Sequence, residues 1–160
     1  MGERTLVLCG EPARGDDDAA FRAADLLDPA LLAGVRVIPA GSLDVQLLLD
    51  LPAEAETVIV DAVAGIPPGT LWIRPLAELA GMGTARAAGP GPRPRSSHEL
   101  PLEETIALAA LIGGRVPAGS FVGIGGRSFG MGDPLSPEVE GALRDAAAAI
   151  AAALTRSTEG

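Results

Sequence analysis

Two short apolar runs constrain this chain more than any other feature. Leu6-Val7-Leu8-Cys9 stops at Gly10, Val58-Ile59-Val60 stops at Asp61, and neither alternates with polar residues. A strand with one face in water alternates; a continuous run of this length marks a strand covered on both faces, the habit of parallel sheets with helices above and below. Three further strands are expected at Val35-Arg36-Val37-Ile38, halted by Pro39, at Leu71-Trp72-Ile73 after the Pro67-Pro68-Gly69 turn, and at Phe121-Val122-Gly123-Ile124.

Helical spacing fills the intervals. Ala20, Phe21, Ala24 and Leu27 share a face, as do Leu102, Ile106 and Ala109, and again Val139, Leu143, Ile150 and Leu154. The last helix has the clearest start, with Ser136 placed as N-cap, Pro137 at the first helical position, and Glu138 and Glu140 near the positive end of the dipole. It is expected to run to about Arg156. Residues 81–97 carry no apolar period and are dense in Gly and Pro, which predicts a long loop. Strands alternating with helices predict a layered α/β sheet, and the 160 residues read as one domain spanning 1–160.

Composition removes several kinds of chemistry. All 12 basic residues are Arg, so a Schiff-base lysine and a phosphate-gripping P-loop lysine are excluded. The net charge of −9 argues against nonspecific binding to nucleic acid or an anionic membrane. One Cys and one His exclude an internal disulfide, a zinc finger and any site built on two imidazoles, so a metal would be held mostly by carboxylates. The longest apolar stretch, Ala146 to Leu154, is far short of a membrane span, and the start resembles no export signal; a cytoplasmic protein is expected.

In open α/β sheets, functional groups gather at the carboxyl ends of the strands. Asp16-Asp17-Asp18 falls in the turn after the first strand, Asp61 at the end of the Val58 strand, and His98 between the long loop and the helix containing Leu102. Two carboxylates and an imidazole suit a borderline divalent cation such as nickel, zinc or iron. Each residue also has a simpler reading: the Asp run as helix cap, Asp61 as acceptor for the Pro67-Pro68-Gly69 turn, His98 as a solvated loop residue. Gly10 to Gly15 has the glycine spacing of a phosphate loop, but Asp16 and Asp17 stand where Lys and Ser or Thr are needed, and carboxylates repel phosphate. Gly123-Ile124-Gly125-Gly126 reads as close packing rather than a dinucleotide fingerprint, Cys9 as a small buried hydrophobe, and Arg14 as balancing the acidic cluster.

The ordered set Pro12-Ala13-Arg14-Gly15-Asp16-Asp17, Asp61-Ala62-Val63 with Pro67-Pro68-Gly69-Thr70, Ser97-His98-Glu99-Leu100, and Leu135-Ser136-Pro137-Glu138-Val139 resembles the hydrogenase maturation protease family over nearly the whole chain. The resemblance implies a three-layer α/β sandwich and an endopeptidase that removes a C-terminal extension from the precursor of a nickel-iron hydrogenase large subunit after nickel insertion. Carried over by position, the metal-contacting and catalytic residues are Asp17, Asp61 and His98, the metal being the nickel supplied by the substrate. Such an ion would polarise the scissile carbonyl or acidify a bound water, with Asp16 capping the helix or orienting its neighbour.

The chain also departs from the family's pattern. The usual Gly-x-Gly-Asn reads Leu8-Cys9-Gly10-Glu11, the Gly-x-Gly after the paired acids reads Asp18-Ala19-Ala20, Pro39-Ala40-Gly41-Ser42 replaces Asp-Gly-Gly-Thr, and Gly125-Gly126 replaces Glu-Pro. Losing glycine at Leu8 and Ala20 is expected to reshape the cleft, and Glu11 and Asp18 to add negative charge to it. Two other functions stay open at this point: a noncatalytic module that recognises a metal-loaded partner or chaperones its assembly, and a small-molecule or phosphate-binding protein using Gly10 to Gly15 and Gly123 to Gly126.

Overall fold

The structure, a computed structural model, describes residues 2–89 and 100–156. Five strands, β1 (Arg4–Cys9), β2 (Val35–Ala40), β3 (Glu56–Val63), β4 (Leu71–Pro75) and β5 (Ala118–Gly125), form one sheet in the order β2-β1-β3-β5-β4. All pairs are parallel except β4 with β5. The chain moves from β1 outward to β2, then crosses to β3 on the other side of β1, so the strand order switches between β1 and β3. That switch opens a crevice at their carboxyl ends.

Strand alternation divides the side chains between two helical layers. Leu6, Leu8, Val58, Val60, Val122 and Ile124 pack with α1 (Ala19–Ala24), α2 (Pro29–Leu32) and α6 (Pro137–Arg156). Val7, Cys9, Ile59 and Phe121 pack with α3 (Val45–Asp50), α4 (Leu76–Ala88) and α5 (Leu102–Gly113). The result is the three-layer α/β sandwich that the resemblance implied. Its buried core is aliphatic apart from Cys9 and Phe121, and the Phe121 ring meets Trp72 edge-on at 5.9 Å.

Several boundaries differ from the sequence reading. Pro39 does not end β2 but pairs with Leu8 inside it. As β2 lies at the sheet edge, the missing N–H costs no ladder bond. Asp61 lies inside β3, in register with Gly123 of β5, and the strand continues to Val63. The expected loop 81–97 is helix α4 as far as Ala88, while residues 90–97 lie outside the described residues. Gly83 explains the difference: a Cβ there would stand 1.9 Å from the Glu103 carbonyl oxygen, so the glycine serves the close approach of α4 to α5 and marks no turn. Helix α3, begun by the Asp44 carboxylate accepting from Leu47 N–H at 2.7 Å, also escaped the periodicity reading because it is only six residues long.

Candidate functional site

The first turn after β1 is shaped around Asp17. Gly10 takes φ +130°, and a Cβ on it would sit 2.0 Å from the Asp17 carbonyl oxygen, so only glycine lets the turn close here. The next residue, Glu11, donates its N–H to Asp17 Oδ2 at 2.7 Å. The stretch with phosphate-loop glycine spacing therefore closes on the protein's own carboxylate. Asp17 and Asp61 are both partly open to solvent.

Asp61 reaches the same place from β3. By alternation its side chain lies on the face of Ile59 and Cys9, the face that carries α4 and α5. Burial, and next the negative charge of Asp17, push its carboxyl up to about 7, against a backbone hydrogen bond from Ala62 that lowers it. The two acids are thus brought to one crevice at the strand-order switch, where the charge of Asp17 makes ionisation of Asp61 costly. The Pro67-Pro68-Gly69 turn is not what Asp61 serves: Thr70 donates its N–H and hydroxyl to Pro67 O, and Gly69 donates to Gly125 O.

Cys9 is completely buried beneath this pair. Burial first, then Asp61 and Asp17, drive its thiol well above the ordinary range, so it stays protonated and acts as a small hydrophobe. His98 lies outside the described residues, within the segment linking α4 to α5. Among the described residues, no group of three or more His, Cys, Asp or Glu is arranged to hold a metal ion. The described part of the site is a pair of acids, Asp17 and Asp61, whose mutual repulsion a divalent cation would relieve.

Neighbouring acids do other work. Asp16 is fully buried and caps neither the short 3-10 turn Gly15–Asp18 nor α1; its carboxylate instead accepts from the far side of the sequence, at Arg127, Ser128 and Ser136. Ser136 accordingly spends its hydroxyl on Asp16 Oδ2, at 2.6 Å. Asp18 faces Arg22 at 3.9 Å, and burial pushes its carboxyl up. Leu8 and Ala20 belong to the core under α6, on the opposite face from Asp61, so they fill that core and do not reshape the crevice. Gly125 lets the Pro67 turn close, since a Cβ would meet Pro67 O at 2.3 Å, and Gly126 lies against the Asp16 side chain.

Solved structures share this fold. The hydrogenase maturating endopeptidase HybD from E. coli is similar with a TM-score of 0.71 and 22% identity, over 97% of this chain and 93% of that one. The maturation protease HybD from Thermococcus kodakarensis gives 0.63 and 20%, over 92% and 96%. A hydrogenase 2 maturation peptidase from a Thaumarchaeota archaeon gives 0.56 and 25%, over 95% and 97%. No curated protein matches by sequence. A family model described as hydrogenase maturation protease matches residues 24–153, a segment that includes Asp61 and His98 and begins beyond Asp17. The chain therefore belongs to the hydrogenase maturation protease family.

Proposed function

We propose that this chain is an endopeptidase that removes the C-terminal extension of a nickel-iron hydrogenase large-subunit precursor, with Asp17, Asp61 and His98 engaging the nickel ion the precursor already carries. The observation that carries the reading is the Asp17–Asp61 pair. A half-buried carboxyl raised to about 7 beside a second carboxylate is poorly stabilised alone and well suited to a divalent cation, which favours the charged forms. A precursor that presents nickel would complete the crevice, whereas one without it would leave the two acids repelling each other. This links cleavage to prior metal insertion.

In this reading the ion belongs to the substrate and supplies Lewis acidity at the scissile carbonyl or at a water. The chain's own part is to hold two acids at fixed positions: Asp17 through the Glu11 N–H and the Gly10 turn, Asp61 through its place inside β3. The protein would act in the cytoplasm; no helix among the described residues is long and apolar enough to cross a membrane.

The test is processing of nickel-loaded precursor followed by mass spectrometry. The native chain is expected to release the extension, and Asp17→Asn and His98→Ala to leave the precursor mass unchanged. Unaltered processing by His98→Ala would remove His98 from the site. Capture of precursor by the native chain with no change in mass would favour a noncatalytic recognition module.

A further inference from the structure

The two adjacent acids of the first turn face different tasks. Asp17 turns toward the crevice, while Asp16 is sealed from solvent and meets four donors. Ser136 N–H donates to its Oδ1 at 2.7 Å, and its Oδ2 accepts from Arg127 N–H at 2.8 Å, Ser128 N–H at 3.0 Å and the Ser136 hydroxyl at 2.6 Å. Burial alone would raise this carboxyl, but the Ser136 hydroxyl and the three backbone N–H groups outweigh it and hold it below the ordinary value.

The same joint is fastened at the backbone. Asp16 N–H donates to Ser128 O at 2.7 Å, and Gly132 N–H, near the tip of the β5–α6 loop, donates to Ala13 O at 2.8 Å. Gly15 takes φ +58°, and a Cβ there would stand 2.4 Å from Ser128 O. Gly126, whose Cβ would fall 3.0 Å from Asp16 Cβ, makes room on the other side. Segments more than 100 residues apart in sequence are therefore locked together one residue before Asp17.

We propose that Asp16 is a positioning residue for the reaction: it bolts the first turn to the β5–α6 loop and the start of α6, through Arg127, Ser128 and Ser136, and thereby sets where the Asp17 carboxylate stands. The proposal rests on the reading of Asp17 as a group that engages the substrate's metal. It joins two motifs that are remote in sequence, Gly15-Asp16-Asp17 and Leu135-Ser136-Pro137, into one device. Four donors on one carboxylate leave it no freedom to rotate, and the rigidity is handed through one peptide unit to Asp17, whose carboxylate is further held by the Glu11 N–H and whose own N–H donates to Arg14 O at 3.1 Å. Supporting residues of this kind change activity about 10–100-fold when lost.

Asp16→Asn places an NH2 group against N–H donors, and Ser136→Ala removes one donor while leaving three, so the second variant carries the test if the first fails to fold. Two readouts are taken: kcat for precursor cleavage, and the chemical shift and hydrogen exchange of the Glu11 amide, which reports the bond to Asp17. Both variants are expected to lower kcat about 10-fold or more and to move the Glu11 amide, while amides of Val58, Val60 and Val122 keep their native shifts. A Glu11 amide that stays in place, or a native kcat in a folded variant, overturns the proposal. Cleavage at the native rate by Asp17→Asn is a separate result: it overturns the reading of Asp17 and the proposal with it.

Discussion

The two faces of the sheet are built from the same strands and do different work. Toward α1 and α6, the buried residues that β1, β3 and β5 send are all Leu, Val and Ile, and the layer is closed by Val139, Leu143, Ile150 and Leu154. Toward α3, α4 and α5 the same strands send Thr5, Cys9, Thr57 and Asp61 among their apolar residues. One face is optimised for burial; the other carries a carboxyl whose charge the fold opposes. The contrast teaches that stability and chemistry are separated by a single step along β3, from Val60 to Asp61, because successive side chains point to opposite faces.

The strongest way to break this division is Asp61→Asn. Precursor cleavage should fall by about 100-fold or more, while the metal-free protein becomes more stable at pH 8. The sign follows from the raised carboxyl. Between its unfolded value near 3.8 and its folded value of about 7, the native state keeps a proton that the unfolded chain has released, so stability falls as pH rises through that window. The native protein should lose on the order of 2–4 kcal/mol across it, and the Asn variant should not. Thermal melts from pH 5 to 8 with chelator present decide this; parallel curves for the two proteins would contradict the account.

Ile150→Ala tests the closed face. Ile150 is fully buried under the sheet, so its truncation should cost about 2–5 kcal/mol in denaturant unfolding while kcat per folded molecule stays native. A large loss of kcat in folded Ile150→Ala would show that the faces are coupled. On the other face, Gly83→Ala should cost about 2 kcal/mol or more, because its Cβ would stand 1.9 Å from the Glu103 carbonyl oxygen and force α4 off α5. The smallest effect is expected two residues earlier in the same helix. Gly81→Ala meets nothing within 4 Å and should stabilise by about 0.5–1 kcal/mol, read as a rise in melting temperature.

Most of the sheet was legible because burial on both faces writes β1 and β3 as unbroken apolar runs, while the partly exposed edge strands β2 and β4 showed as short apolar-rich stretches bounded by Pro and Gly. The face of α6 was equally plain, since Val139, Leu143, Ile150 and Leu154 are all buried as their spacing implies. Helix α4 was not, because Gly81 and Gly83 read as part of the long Gly- and Pro-rich loop 81–97 until a neighbouring helix supplies the reason for one of them. The acids were legible as candidates but not as a division of labour. Asp16 and Asp17 are the same residue type side by side, and only partners more than 100 positions away separate the buried bolt from the group facing the crevice.

By itself the sequence determined the α/β class, the strands, the absence of lysine chemistry and the family, because these depend on local pattern and on motifs in order. Only the tertiary structure decided that Leu8 and Ala20 fill a core away from the crevice, that Asp61 feels the charge of Asp17, and that Asp16 answers to Ser136. The reason is that burial, charge coupling and hydrogen-bond satisfaction are set by which distant segments the fold brings within a few ångströms, and no local pattern records that.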